Sequence, residues 1–238
     1  MTGMPPVALL AGGLATRMRP LTEKIPKSML EIAGEPFIAH QLRLFAHKGI
    51  TSVVLCTGYL GEMVEAFVGD GARFGLSVRY SPDGPVLRHT GGALRQALPL
   101  LGEEFMVIYG DSWLNADFTA VVESFRTQGK LALMTVFRNE GSFDNSNVEF
   151  ENGVIRNYDK KHRTTQMRHI DWGLGLIRRE AFQGWKQEHF DLADLYHGLV
   201  SKGQLAGYEV YERFYEIGSF AGLEETSFLL QTEHKAVK

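Results

Sequence analysis

Short apolar runs rich in β-branched residues alternate with longer amphipathic stretches through the first part of this 238-residue chain, and that cadence leaves few architectures open. Val7 to Leu10 reads as a strand, Pro36 to His47 as a helix stopped by Gly49, Thr51 to Cys56 as a second buried strand, and Glu62 to Val68 as a short helix ended by Gly69. Leu76 to Tyr80, Glu104 to Tyr109 and Leu131 to Phe137 continue the strands, with helices predicted over Gly91 to Leu98 and Asp117 to Gln128. Strands joined through helices run parallel and carry those helices on their faces. The predicted fold class is α/β: a Rossmann-like, mostly parallel mixed sheet flanked by helices. Such sheets hold ligands beyond the carboxyl ends of their strands. Both glycine junctions, Gly12-Gly13 and Gly110-Asp111, fall at such ends.

Further along, the character changes. Asn147 to Phe150 and Val154 to Tyr158 read as strands joined by the hairpin signal Glu151-Asn152-Gly153, and Lys160 to Arg168 as a polar, basic loop. Trp172 to Ile177 resumes a strand, Leu192 to Lys202 suggests a helix, and Leu205 to Val210 and Arg213 to Ile217 bring back β character. A last helix capped near Ser219 reaches Leu230, and the polar tail from Gln231 to Lys238 is expected to fray. No internal repeat or low-complexity linker interrupts the chain. The expected organisation is one domain over 1–238: a core over approximately 1–135, an inserted lobe over 138–212, and a return to the core over 213–238.

Charge and cysteine usage narrow the function classes. There are 25 Lys plus Arg against 28 Asp plus Glu, a net charge of -3, without the basic excess of a dedicated nucleic-acid binder. Cys56 is the only cysteine, so an intrachain disulfide is excluded, and its run Ser52-Val53-Val54-Leu55-Cys56 makes it a buried strand residue. No spacing resembles a structural zinc site. No basic segment with a following apolar stretch opens the chain, and no apolar run is long enough to span a bilayer. The expectation is a cytoplasmic protein with no nucleic-acid partner and no membrane insertion.

The richest chemistry follows the first strand: Leu10-Ala11-Gly12-Gly13-Leu14-Ala15-Thr16-Arg17-Met18-Arg19-Pro20-Leu21-Thr22, then Pro26-Lys27. Paired glycines let backbone N–H groups crowd towards an anion. Thr16 offers a hydroxyl, Arg17 and Arg19 offer guanidinium forks, and Lys27 adds a point charge. A Walker A loop is excluded because Leu14 follows Gly13, and the third glycine of a dinucleotide fingerprint is absent. Arg19 is either a phosphate contact or a surface residue. A second glycine-bearing segment, His89-Thr90-Gly91-Gly92, opens a predicted helix after a loop containing Asp83, Gly84 and Pro85. A carboxylate at a strand end, Asp111, suits Mg²⁺, which prefers hard oxygen ligands and often takes only one or two carboxylates plus phosphates.

On Gly12, Gly13, Thr16, Arg17, Pro20, Thr22, Pro26 and Lys27 the sequence resembles the nucleoside-diphosphate-sugar pyrophosphorylases, also called sugar-1-phosphate nucleotidyltransferases, in a short form without their β-helix extension. Ala15 stands where the family commonly has glycine, and His89 stands where the nucleotide-touching segment often begins with glycine. His89 either reads the nucleotide or caps the helix.

The resemblance implies the transfer of a nucleoside monophosphate from an NTP to a sugar 1-phosphate, giving an NDP-sugar and pyrophosphate. It implies nucleotide contacts from Leu10, Ala11, Gly12, Gly13, Thr16, Arg17, His89, Thr90, Gly91 and Gly92, and catalytic roles for Arg17, Lys27 and Asp111. It also implies an Mg²⁺ site, with Mn²⁺ as substitute, on Asp111 and Glu216; Glu216 and Ser219 replace the family's usual Asp and Thr.

On the acceptor side it implies sugar-phosphate contacts from Asn147, Lys160, Trp172 and Gly173, with Lys161 as the fallback for Lys160. Asn139, Asn145, Glu149, Asp159, Arg163 and Asp171 populate the same lobe, and Trp172 either shapes the pocket or packs in the core. The expected partners are the two small-molecule substrates, and a homodimer is compatible with the family. Guanylyl transfer to a heptose or mannose 1-phosphate is the favoured version. The alternatives are uridylyl transfer to a hexose or amino-sugar 1-phosphate, cytidylyl transfer to a non-sugar phosphate such as phosphocholine, and a non-catalytic nucleotide-sensing subunit.

Overall fold

A computed structural model describes the backbone of residues 3–236 and the side chains of 3–232. In chain order the elements are β1 (Val7–Leu10), β2 (Glu31–Ile32), β3 (Glu35–Pro36), α1 (Phe37–His47), β4 (Ser52–Thr57), α2 (Gly61–Val68), β5 (Ser77–Pro82), α3 (His89–Ala97), β6 (Glu104–Tyr109), β7 (Ser112–Trp113) and α4 (Phe118–Gln128). There follow β8 (Ala132–Arg138), β9 (Val148–Glu151), β10 (Val154–Tyr158), β11 (His169–Arg178), α5 (Leu192–Ser201), β12 (Leu205–Val210), β13 (Tyr215–Glu216) and α6 (Phe220–Ala236).

Nine strands form one sheet in the order β5-β4-β1-β6-β11-β8-β12-β10-β9. The first four are parallel, as the strand–helix alternation requires. β11 then runs antiparallel between β6 and β8. β8 and β12 are parallel to each other, and β10 and β9 finish the sheet antiparallel. A further pairing, His169 opposite Val148, joins β9 back to β11, so β11, β8, β12, β10 and β9 close on themselves. The sheet is thus mixed, flanked by helices, and continuous between its nucleotide-side and lobe strands.

Local chemistry explains the helix ends. Asp117 caps α4 by accepting from the Ala120 N–H, and Gly129 ends that helix in the left-handed region. Asp191 and Asp194 form a reciprocal capping box at the start of α5. Two apolar layers cover the sheet faces, one including Leu9, Leu55, Ile108 and Trp172, the other including Val54, Phe105, Met134 and Tyr196. A third cluster gathers Met18, Leu30, Ile32, Phe37, Leu44, Trp113, Ile217 and Leu230, so the glycine loop, the β2–β3 hairpin and the C-terminal helix share one small core.

Three expectations about the later elements are corrected. The strand predicted over Arg213 to Ile217 shrinks to Tyr215–Glu216, because its partner β7 offers only two residues to pair with. β11 begins at His169 rather than Trp172, with a bulge between Asp171 and Gly175 that accommodates its glycines. The last helix runs through Ala236 rather than ending at Leu230, so the tail from Gln231 is helical as far as the description goes, with residues 237–238 outside the described residues. No helix among the described residues is long and apolar enough to cross a membrane.

Candidate active site

A cavity of about 330 Å³ opens beyond the carboxyl ends of β1, β4, β5 and β6. Leu10, Ala11, Gly12 and Gly13 form one wall, His89, Thr90 and Ala93 of α3 another, and Lys27 and Asp111 stand at its rim with Tyr109. The backbone there is packed to its limit. The Gly58 N lies 3.1 Å from where a Cβ on Gly12 would sit, and a Cβ on Gly110 would lie 2.8 Å from the Leu10 carbonyl oxygen. Only glycine lets these three strand ends converge so closely.

Ala15 has φ +49° and His89 has φ +60°. Both positions at which the sequence departs from the family's glycine therefore adopt the left-handed conformation that glycine takes without strain. Thr22 holds the first of them, its buried hydroxyl donating to the Ala15 carbonyl at 2.8 Å. Thr16 and Arg17 occupy the single turn after Ala15; both are exposed and stand outside the cavity wall, as does Arg19.

Gly91 and Gly92 serve a different contact from the one expected. Their N–H groups donate to the Phe190 carbonyl at 3.0 and 3.2 Å, and a Cβ on either would collide with Phe190 or Glu188. They dock α3 against the segment before α5 and stand outside the cavity wall, whereas His89 and Thr90 reach it. Thr90 also accepts from the Leu192 N–H at 2.8 Å.

The charged centre joins three distant segments. Lys27 Nζ lies 2.5 Å from Asp111 Oδ2, with both side chains about four-fifths buried. β13 pairs with β7 so that Glu216 stands opposite Ser112, and the Ile217 N–H donates to the Asp111 carbonyl at 2.9 Å. A Cβ at Gly218 would lie 2.7 Å from Glu216 Oε2 and 3.3 Å from both Asp111 Oδ2 and Lys27 Nζ. Two carboxylates and one ammonium thus converge on a single glycine. Glu216 is oriented by its own turn: the Gly218 N–H and the Ser219 hydroxyl donate to it, the latter at 2.5 Å. Hard oxygens in this number fit Mg²⁺, and no group of three or more His, Cys, Asp or Glu side chains that could hold a metal occurs among the described residues, so phosphate oxygens and water would complete the shell.

Two residues that sequence reasoning passed over belong to the site. Gln41, buried on α1, donates from Nε2 to the Tyr109 and Ser112 carbonyls at 3.1 and 2.8 Å and so braces the turn that carries Asp111. Its signal was a lone amide on an otherwise apolar helix face. Asp83, just after β5, lines the cavity at 6% exposure. Its Oδ2 accepts from the Arg88 N–H at 3.2 Å, while Oδ1 is buried with no hydrogen-bond partner. Burial pushes the Asp83 carboxyl above its ordinary range against the pull of Arg88, His189 and His89. Burial, with Asp83 nearby, also pushes the Cys56 thiol up to about 12, which leaves it an inert wall residue.

On the lobe side, Asn147 Oδ1 accepts from the Asp171 N–H at 3.0 Å, tying the hairpin to β11. Trp172 is 1% exposed, belongs to a core layer and donates from Nε1 to the Glu212 carbonyl at 2.8 Å, which settles its two readings in favour of the core. Gly173 has φ +101° and sits against Tyr109, whose ring carbon would be 3.7 Å from a Cβ there. Lys160 Nζ lies 5.8 Å from the Tyr109 ring centre and 5.9 Å from that of Tyr158. Asp159 turns its carboxylate into its own loop, accepting from the His162 and Lys161 N–H groups, which holds its pKa at about 2 and fixes the turn from which Lys160 projects.

The nucleotidyl transferase family model matches residues 7–166, and the chain belongs to that family. It is similar to an N-acetylmuramate α-1-phosphate uridylyltransferase of Neisseria meningitidis, 29% identical over 93% of this chain and 96% of that protein. It is also similar to a mannose-1-phosphate guanylyltransferase of Mycobacterium tuberculosis, 39% identical over 119 residues, half of this chain but only 33% of that protein's own length. In fold it resembles HddC from Yersinia pseudotuberculosis, solved with GMP-PN, at TM-score 0.81 and 19% identity, covering 95% of this chain and all of that one. The chemistry typical of the family is NTP plus sugar 1-phosphate giving NDP-sugar plus pyrophosphate.

Proposed function

We propose that this protein transfers GMP from GTP to the 1-phosphate of a hexose or heptose such as mannose 1-phosphate. Asp83 carries the choice of base. Asp83 lines the cavity, and its buried Oδ1 has no hydrogen-bond partner beside an Oδ2 held by only one N–H. Among the common bases only guanine offers two adjacent donors, N1–H and the 2-amino group, to a carboxylate. Uracil offers one N–H flanked by two carbonyls that a carboxylate repels, and cytosine and adenine each set a ring acceptor beside their amino group. The mycobacterial guanylyltransferase, similar over about half of this chain, supports the same reading.

In this mechanism the acceptor phosphate oxygen attacks the α-phosphorus and the bond to the β-phosphate breaks, with pyrophosphate leaving opposite. The amides of Gly12 and Gly13 and the guanidinium of Arg17 hold the leaving charge, Arg17 swinging in from its exposed turn. Lys27 and Lys160 neutralise the two anions as they meet. Asp111 and Glu216 would hold Mg²⁺, which supplies charge neutralisation at the α-phosphate when bound. A phosphate monoester is already nucleophilic at neutral pH, so no general base is required and the work is positioning and electrostatics.

The second reading is uridylyl transfer, favoured by the meningococcal relative that matches from end to end. Pyrophosphate release across GTP, UTP, CTP, ATP and dTTP, each with a panel of sugar 1-phosphates, separates the two. GTP is expected to give the highest kcat/KM, and Asp83→Asn to lower the GTP value by about 10- to 100-fold, the worth of a hydrogen bond to a charged group. A wild-type preference for UTP overturns guanylyl transfer and leaves the transferase chemistry standing.

A further inference from the structure

The fold holds Lys27 and Lys160 in opposite ways. Lys27 is paired with the Asp111 carboxylate at 2.5 Å. Lys160 has no ion-pair partner among the described residues. Its Nζ lies instead 5.8 Å from the Tyr109 ring centre and 5.9 Å from that of Tyr158. An ammonium within about 6 Å of a ring centre is drawn to the negative face of the ring, an attraction worth a few-fold in an equilibrium at an exposed site.

Both rings are fixed from behind. Tyr158, at the end of β10 and two residues before Lys160, is 1% exposed. Its hydroxyl donates to Asp171 Oδ2 at 3.3 Å, while Asp171 Oδ1 accepts from the Gly173 N–H at 3.1 Å. Asp171 is thus used up within the fold, as a brace for Tyr158. Tyr109 ends β6, its carbonyl accepts from Gln41 Nε2 at 3.1 Å, and the left-handed Gly173 sits against its ring. Burial holds both phenols far above their ordinary range, so the rings stay neutral. Tyr109 also lines the nucleotide cavity, two residues before Asp111, so one ring touches both halves of the site.

The way an ammonium is held decides what it can still do. A carboxylate partner takes up N–H donors and offsets the charge. A ring face restrains the ammonium without offering a competing anion, so an incoming phosphate finds it available. A long lysine side chain also loses much rotamer freedom when it is ordered, and restraint before binding lowers that cost.

Resting on the reading of Lys160 as the lysine that meets the acceptor phosphate, we propose that Tyr109 and Tyr158 are positioning residues. Their ring faces hold the Lys160 ammonium unpaired at the junction of the nucleotide cavity and the lobe.

The test is a double-mutant cycle on Tyr109 and Lys160. Mannose 1-phosphate is titrated calorimetrically onto the full-length protein saturated with a non-hydrolysable GTP analogue and Mg²⁺. Tyr109→Leu should raise the Kd about 3- to 5-fold, and Tyr109→Phe, which keeps the ring face, should recover that loss. Lys160→Ala should raise it about tenfold. Combining Tyr109→Leu with Lys160→Ala should leave the Kd within about twofold of Lys160→Ala alone, because the ring then has no ammonium to hold. Single losses that multiply in the double mutant, a Tyr109→Phe protein as weak as Tyr109→Leu, or a Tyr109→Leu protein of wild-type affinity would overturn the inference alone. Wild-type affinity in Lys160→Ala, or no binding of mannose 1-phosphate by the wild type, would overturn the acceptor reading and the inference with it.

Discussion

The two halves of the site are built by different means. On the nucleotide side the binding surface is largely backbone: parallel strand ends drawn together by Gly12, Gly58 and Gly110, with turns at Ala15 and His89 in the left-handed region. On the proposed acceptor side the candidates are side chains beside antiparallel strands that close on themselves, Asn147 before β9 and Lys160 on the loop after β10. A backbone cradle recognises what every NTP shares, its phosphates. A side-chain wall can be re-cut residue by residue, and in the proposed reading the sugar is chosen there. Asp83 is the exception that sharpens the contrast, a single side chain set into the backbone half and proposed above to read the base.

Mutations can break this division in order of effect. Asp111→Asn removes a carboxylate shared by the lysine and the proposed metal position, and steady-state kinetics should show kcat/KM lowered about 1,000-fold for all substrates. Lys27→Ala should cost about 2–4 kcal/mol in the transition state while circular dichroism stays unchanged. Because the two side chains are paired at 2.5 Å, the double mutant should lose less than the sum of the single losses. Wild-type kcat/KM in a folded Lys27→Ala protein would remove the lysine from the reaction.

Lys160→Ala should raise the acceptor's apparent Kd about tenfold and leave nucleotide binding within twofold, read from separate titrations. Equal losses for both ligands would mean that the halves are not separable in this way.

The smallest effect falls on stability. Burial raises the Asp83 pKa in the folded state, so the charged form there opposes folding once the pH is above that raised value. Asp83→Asn should therefore raise Tm at pH 7 to 8, and the gain should shrink as the pH falls towards 4, where the wild-type carboxyl takes up its proton. A gain that grows on acidification would contradict the sign.

What could be read from the chain follows the same division. The parallel half was legible because strand and helix periods alternate there, and because Gly12-Gly13 and Gly110-Asp111 mark strand ends by their composition. The role of Gly91 and Gly92 was not, since their neighbours Glu188 and Phe190 lie far along the chain and only the fold shows that two glycines are needed to admit them. Trp172 reads equally well as pocket or core until the Glu212 carbonyl is found at its indole nitrogen. Asp83 carries no motif. Its signal is a partnerless buried oxygen, which exists only in three dimensions. The two-residue β13 was over-read because the β character of Arg213 to Ile217 says nothing about how short its partner is.

The small core that joins Met18 to Ile217 and Leu230 also has a bearing on synthesis. The glycine loop leaves the ribosome well before α6. Until α6 emerges, the loop lacks part of its apolar backing and Glu216 lacks Thr226, whose hydroxyl donates to its carbonyl at 3.0 Å. A nascent chain can assemble its parallel strands early, yet the loop gains its full apolar backing only once α6 has been made. A truncated product is therefore left without the support its phosphate loop requires.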